Sequence, residues 1–157
     1  MSQKTNAARI LDQLNIEYEI REYPVDENDL SAEHVAEVLG IRAETIYKTL
    51  VLKGSNDPYF VAMLPGDSHL DLKKMAKASG NKNCEMLSLK DLTKVTGYIR
   101  GGCSPIGMKK DFPTYIEELA TLQEKIIISA GKRGLQIVIS PLDLQKVVNA
   151  HFADLIQ

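Results

Sequence analysis

Apolar side chains recur at Ala7, Ile10, Leu11 and Leu14, the spacing that lays one stripe along a helix, so the pattern opens with an amphipathic helix. Tyr18 to Tyr23 then alternates with period two and stops at Pro24, which predicts a strand ended by a turn. After an acidic, polar stretch, Ser31 is placed to cap a second helix reaching Leu39, with Gly40 at the left-handed position that ends it. Ile46 to Lys53 and Tyr59 to Leu64 are β-rich runs around Gly54-Ser55-Asn56-Asp57-Pro58 and predict a hairpin. Leu72, Met75 and Ala76 mark a third helix within Leu70 to Ser79, stopped at Gly80-Asn81. Ser88, with Asp91 in capping-box position, opens a fourth that stops at Gly97. Tyr98-Ile99-Arg100 reads as a short strand entering a glycine-rich loop. Lys125 to Ser129 and Leu135 to Ile139 read as strands flanking Ala130-Gly131-Lys132-Arg133-Gly134, and Ser140-Pro141 supplies the cap and first-turn proline of a last helix through Val148.

No repeat, low-complexity tract or long linker interrupts these elements, so one domain over residues 1–157 is expected. Strands that come partly in hairpins and partly with helices between them predict an α+β fold. Its sheet should be mixed, curved and barrel-like, with flanking helices. A chain of 157 residues can bury ~68–70% of the surface it exposes when unfolded, enough for a core without disulfide or metal staples. The sequence shows no apolar run long enough for a signal peptide or a membrane span, which predicts a cytoplasmic protein with no membrane partner. Cys84 and Cys103 stand far apart and in no C-x-x-C pattern, so both are read as reduced thiols. His34, His69 and His151 fit no metal-ligand spacing, and neither a G-x-S-x-G elbow nor a phosphate-binding glycine motif occurs. Neither metal nor cofactor is expected.

Net charge changes the picture when it is resolved along the chain. The total of −2 argues against indiscriminate binding to nucleic acid, and DNA is not an expected partner. Met1 to Thr45 carries four Lys or Arg against ten Asp or Glu, whereas Lys73 to Lys110 carries nine against two. The basic segment is either a solvated helix face or a strip for a phosphate backbone, with Lys73, Lys74 and Lys77 as its first candidates.

Three places could carry chemistry. Alternation along Ile46 to Lys53 puts Lys48 on one face with Ile46, Leu50 and Leu52, so an ammonium is embedded among aliphatic side chains. Either it reaches solvent or an anion from there, or the face with Tyr47, Thr49 and Val51 is the core and Lys48 guards an edge. Gly101-Gly102-Cys103-Ser104-Pro105-Ile106-Gly107 can bring backbone N–H groups against a ligand, or it is a plain tight connection. Ser129 ends an apolar strand beside Lys132 and Arg133, as a binding hydroxyl at a strand mouth or as an ordinary turn serine.

Ile46-Tyr47-Lys48-Thr49-Leu50, Leu70-Asp71-Leu72-Lys73-Lys74, Thr96-Gly97-Tyr98, the loop from Gly101 to Lys110 and Ser129-Ala130-Gly131-Lys132-Arg133-Gly134-Leu135 occur in an order that resembles the YbaK/EbsC family. Members are deacylases acting in trans on mischarged tRNA, related to the editing domain inserted in bacterial prolyl-tRNA synthetases. The resemblance covers nearly the whole chain. It implies a curved mixed sheet with flanking helices, a site for the aminoacylated 3′ adenosine, and Cys-tRNA(Pro) as substrate. It places the family lysine on Lys48, a tyrosine on Tyr23, the loop glycines on Gly101 and Gly102 with Ser104 beside them, and the serine of the last motif on Ser129, followed by Lys132 and Arg133. Gln136 stands where the family often has an aspartate, so a role needing a carboxylate there is in doubt. Cys103 occupies a variable position of the loop.

The ester between amino acid and ribose breaks through a tetrahedral oxyanion, so preorganised donors should be the main device, and Lys48 with the N–H groups of Gly101 and Gly102 are suitable. Lys48 serves equally as a phosphate ligand. No general base is evident, and the resemblance implies a substrate-assisted route in which the cysteine thiol attacks its own carbonyl. Two alternatives stay open: a deacylase for Ala- or Ser-tRNA using a positioned water, and a non-catalytic module that binds tRNA or a synthetase. The mischarged tRNA, chiefly the tRNA(Pro) acceptor end, is the expected partner, with prolyl-tRNA synthetase as a second.

Overall fold

The computed structural model describes residues 4–157. Thr5 Oγ1 accepts from the Ala8 N–H and starts α1 (Asn6–Gln13), which buries Ala7, Ala8 and Leu11. After β1 (Glu19–Glu22), Ser31 caps α2 (Ala32–Leu39), and Gly40 ends it at φ 67°, the left-handed conformation expected of it. The predicted hairpin is present as β2 (Tyr47–Gly54) and β3 (Phe60–Pro65), paired antiparallel with Lys48 opposite Leu64. Asp71 caps α3 (Leu72–Ser79) by accepting from the N–H groups of Lys73 and Lys74. There follow β4 (Cys84–Met86), α4 (Leu89–Thr96), β5 (Thr114–Glu117), β6 (Ile126–Ser129), β7 (Leu135–Ile139), α5 (Pro141–Val147) and β8 (His151–Ala153).

The strands make an α+β domain, but the mixed sheet does not close into a barrel. It is divided in two: a five-stranded sheet in the order β4-β2-β3-β5-β8, with parallel pairs at β3/β5 and β5/β8, and an antiparallel three-stranded sheet β1-β7-β6. One bridge, Ile46 with Ile127, joins them. Alternate residues of both sheets, among them Tyr47, Val51, Met63, Ile128 and Ile137, fill the main core with Leu11 of α1. The opposite face of the large sheet packs Leu52, Phe60, Ala62 and Leu64 against Met75 of α3 and against Leu155. Val35 and Ala36 of α2 cover Ile46, Ile127 and Val138.

Tyr98-Ile99-Arg100 is not the short strand expected of it. Local bonds use its backbone and side chains instead: the Tyr98 N–H donates to Thr96 Oγ1, the Gly102 N–H to the Ile99 carbonyl, and the Tyr98 hydroxyl to the Ile106 carbonyl. Gly97 at φ 87° and Gly101 at φ 82° turn the chain at either end. Strands β4, β5 and β8, of three or four residues, went unpredicted. Glu117 disguises β5, because a carboxylate 1% exposed is acceptable there only by accepting from the N–H groups of Leu119 and Leu155, at 2.7 and 2.9 Å.

Candidate active site

Next to the Ile46–Ile127 bridge, residues of β2, β6, β7 and α2 line a cleft of ≈ 280 Å³. Gly66 lets α2 sit that close: a Cβ there would lie 2.6 Å from the Ala32 Cβ and 3.2 Å from the Ile46 carbonyl oxygen. Lys48 lines the cleft from β2. Both faces of this strand are buried, Tyr47 and Val51 in the main core and Leu50 and Leu52 in the second, so neither face alone is the core. Lys48 itself is half-buried, and its Nζ donates to the Ser68 carbonyl at 2.7 Å. Among the described residues it makes no salt bridge. Burial pushes its pKa below the ordinary lysine value, partly offset by the charges of Glu33 and Asp67.

Tyr23, Gly101, Ser129 and Gln136 face Lys48 from the other elements of the cleft. Tyr23 is held by its N–H, which donates to the Gly134 carbonyl at 2.9 Å, and Gly134 is at φ 89° with no room for a side chain beside Val25 and the Tyr23 carbonyl. Ser129 Oγ accepts from the Gly131 N–H at 3.1 Å, the turn serine arrangement, while still lining the cleft. Gly102 does not line it. Its N–H is taken by the Ile99 carbonyl, and a Cβ on it would lie 3.1 Å from the Arg133 nitrogen and 3.3 Å from Lys132 backbone atoms. Arg133 Nε in turn donates to the Arg100 carbonyl at 2.8 Å, so the glycine loop and the Lys132-Arg133 turn are fastened to each other rather than to the cleft.

Ser104 also lies elsewhere: it is fully buried and its Oγ accepts from the Ile106 N–H at 3.2 Å. Lys73 and Lys77 are exposed on α3, but Lys74 is committed, pairing with Asp154 at 3.1 Å and donating to the Ile156 carbonyl at 2.8 Å. Cys103 borders the cleft as a buried residue, and burial pushes its thiol up to about 11 against a weaker opposing hydrogen bond with Thr96, which favours the protonated form at neutral pH. Among the described residues no group of three His, Cys, Asp or Glu could hold a metal ion, and no helix is long and apolar enough to cross a membrane.

Two cleft groups carry a signal that the sequence hid. Thr49 Oγ1 and Gln136 Oε1 are buried and have no hydrogen-bond partner. Each lost partner costs ~1–3 kcal/mol, so an unpartnered polar atom beside a cleft calls for an ordered water or a polar group of a ligand. Thr49 looked like core from its place beside Tyr47 and Val51; a hydroxyl within an aliphatic run was the available sign.

A family profile described as an aminoacyl-tRNA editing domain matches residues 26–147. EbsC of Enterococcus faecalis, named as a proposed Cys-tRNA(Pro)/Cys-tRNA(Cys) deacylase, is 55% identical over 153 residues, covering 98% of this chain and 93% of that protein. A proline–tRNA ligase of Geotalea daltonii is 39% identical over 79 residues, which is 50% of this chain and 14% of the ligase. Among solved structures, a proposed trans-editing enzyme for prolyl-tRNA synthetase superimposes with a TM-score of 0.82 at 22% identity, over 99% of both chains, which establishes a shared fold.

Proposed function

The chain belongs to the aminoacyl-tRNA editing family, and from that membership we propose that it hydrolyses the ester joining cysteine to the 3′-terminal adenosine of tRNA(Pro). The observation that carries this reading is the cleft itself, where Lys48, Tyr23, Gly101 and Ser129 converge from separate elements around two unsatisfied polar atoms. The terminal adenosine enters between the sheets, and Thr49 and Gln136 meet hydrogen-bonding groups of the aminoacyl ester.

In the reaction, the substrate's thiol sulfur forms a bond to its own carbonyl carbon and the carbonyl oxygen becomes an oxyanion. Collapse breaks the bond to the ribose oxygen, which takes up the proton lost by the thiol, and water then opens the resulting thiolactone to free cysteine. Lys48 and the Gly101 N–H supply donors to the oxyanion, each such donor being worth ~10²–10³ in rate. Gly102 holds the loop in place and is not itself a donor. No enzyme nucleophile is required, which agrees with the protonated state of Cys103.

One observation favours a second reading. The two unpartnered oxygens of Thr49 and Gln136 are acceptors that a water could satisfy, and a water so held would attack esters lacking a thiol. Single-turnover deacylation of Cys-tRNA(Pro), Ala-tRNA(Pro) and Ser-tRNA by wild type and Lys48→Met decides between them. The substrate-assisted route predicts rapid loss of cysteine, slow loss of alanine and serine, and a fall of ~10²-fold or more in folded Lys48→Met. Comparable rates for alanine support the positioned water, and near wild-type rates in Lys48→Met overturn the role of that lysine. Part of the chain is similar to proline–tRNA ligases, and we take prolyl-tRNA synthetase as the partner beside which it acts.

A further inference from the structure

A second groove, of ≈ 500 Å³, lies between α4, the start of β3 and the segment entering β5. Its walls include Tyr59 and Phe112, which meet edge to face with ring centroids 5.9 Å apart and an interplanar angle of 79°. Both rings are anchored on the main core and partly buried, with the remainder of each open to the groove. Lys94, Lys109 and Lys110 line the groove and are exposed. Among the described residues none of the three forms a salt bridge, although Asp91 lines the same groove. Part of this arrangement is helix capping, since Lys109 Nζ donates to the Lys94 carbonyl at 3.2 Å and a lysine favours a helix C-terminus. Capping explains neither Lys110 nor the open aromatic pair.

Unpaired ammonium groups around aromatic rings are the combination that holds a single-stranded nucleic acid, with phosphates on the cations and bases stacked on the rings. Tyr59 lies five residues before Leu64, the partner of Lys48, and a strand rises ~3.4 Å per residue, so groove and cleft are roughly 17 Å apart along the sheet. A stacked strand advances ~3.4 Å per nucleotide, which makes that gap about five nucleotides. Resting on the deacylase reading, we propose that this groove is a second RNA site: it takes the tRNA strand a few nucleotides upstream of the aminoacylated adenosine, with phosphates on Lys94, Lys109 and Lys110 and a base on Tyr59 and Phe112.

The test compares wild type with a Lys94→Gln/Lys109→Gln/Lys110→Gln variant of the full chain on three probes: uncharged tRNA(Pro), Cys-tRNA(Pro), and the cysteinyl ester of adenosine, which has no upstream phosphates. The variant is expected to bind uncharged tRNA at least tenfold more weakly and to lower the log–log salt slope by ~2, at ~0.7–0.9 per lost contact. KM for Cys-tRNA(Pro) should rise by a similar factor while hydrolysis of cysteinyl-adenosine proceeds at the wild-type rate. Tyr59→Ala should weaken tRNA binding roughly tenfold and Tyr59→Phe should not, because the stacking face is kept. An unchanged salt slope and KM in a folded variant overturns the proposal, as does equal loss on both esters, or loss of binding to prolyl-tRNA synthetase with tRNA binding intact. If wild type hydrolyses neither ester, the deacylase reading fails, and the uncharged-tRNA measurement still decides the groove.

Discussion

Gln136 illustrates how a site can be recognised by what it costs. The residue is 4% exposed and its Oε1 has no protein partner, a cost that an ordered water or a ligand group would remove. Gln136→Leu is expected to gain ~1 kcal/mol of stability, ~2–4 °C in Tm for a domain of this size, and to lose deacylation. Activity that survives would mean the amide has no substrate partner, and a melt that falls would mean the amide is already satisfied in the folded protein. Lys48 presents the same trade in ionic form. Its pKa is lowered from the usual 10.5 in the folded state, so between the folded value and 10.5 the unfolded chain binds more protons and stability rises with pH; below that window the buried ammonium opposes folding. Lys48→Met should therefore melt within a few degrees of wild type while inactive, the relief of burial set against one lost hydrogen bond to Ser68. If the ammonium is the working form, the enzymatic rate should decline on the alkaline side below pH 10.5, after subtraction of uncatalysed hydrolysis. Residual activity in Lys48→Arg should lack that decline, because a guanidinium stays charged. Cys103, pushed up to about 11, should react slowly with thiol reagents at neutral pH, and Cys103→Ala should remain active. An aminoacyl thioester trapped on Cys103 would replace the substrate-assisted route with covalent catalysis.

The elements that position the site are the glycine loop and the β6–β7 turn, fastened by Gly102 against Lys132-Arg133 and by Arg133 on the Arg100 carbonyl. Gly102→Ala places a Cβ at 3.1 Å from main-chain atoms that cannot swing aside, so loop and turn must part by a few tenths of an ångström. We expect this variant to fold and to lose ~10–100-fold in kcat, since small displacements of positioned donors are costly to rate. Wild-type kinetics in folded Gly102→Ala would show that the loop contributes no geometry. Helices such as α2 and α5 were legible in the sequence because caps are local: Ser31 with Gly40, and Ser140 with Pro141, announce their ends without reference to the rest of the chain. Strand β5 was not, because what makes Glu117 acceptable in a buried strand is the N–H of Leu155, thirty-eight residues away. Tyr98-Ile99-Arg100 misled for the converse reason, since its polar groups are satisfied by local bonds to Thr96, Gly102 and Ile106 and it meets no neighbouring strand. Lys48 was legible as an anomaly in its own strand. Ser104 and Gly102 sat in the same motif as Gly101, and only the fold separates the residue that lines the cleft from those that brace it.

At the scale of the molecule, the cleft exists because two sheets share a single bridge and then separate, each delivering its own side chains: Lys48 and Thr49 from one, Ser129 and Gln136 from the other. A cleft of ≈ 280 Å³ is far too small for a folded tRNA, so on the proposed reading it would receive only the amino acid and its adenosine. The rest of a tRNA would meet mostly charge, and charge is unevenly spread: −6 over Met1 to Thr45 and +7 over Lys73 to Lys110, from four against ten and nine against two. Contacts of lysine with phosphate position a nucleic acid without reading its sequence, because phosphates are alike in every tRNA. The isolated chain should then discriminate between amino acids and barely between tRNA bodies, with kcat/KM for Cys-tRNA(Pro) and Cys-tRNA(Cys) agreeing within about tenfold, a difference of at most about 1.4 kcal/mol. Prolyl-tRNA synthetase would change that by adding a second, sequence-reading attachment to the same tRNA, which raises the effective concentration of the correct substrate without a new contact in the cleft. Addition of the synthetase is expected to accelerate clearance of Cys-tRNA(Pro) and leave Cys-tRNA(Cys) unchanged at subsaturating enzyme. A preference above 100-fold for tRNA(Pro) in the isolated chain would locate tRNA recognition in this domain itself, and equal acceleration of both substrates would remove the synthetase as the source of selectivity.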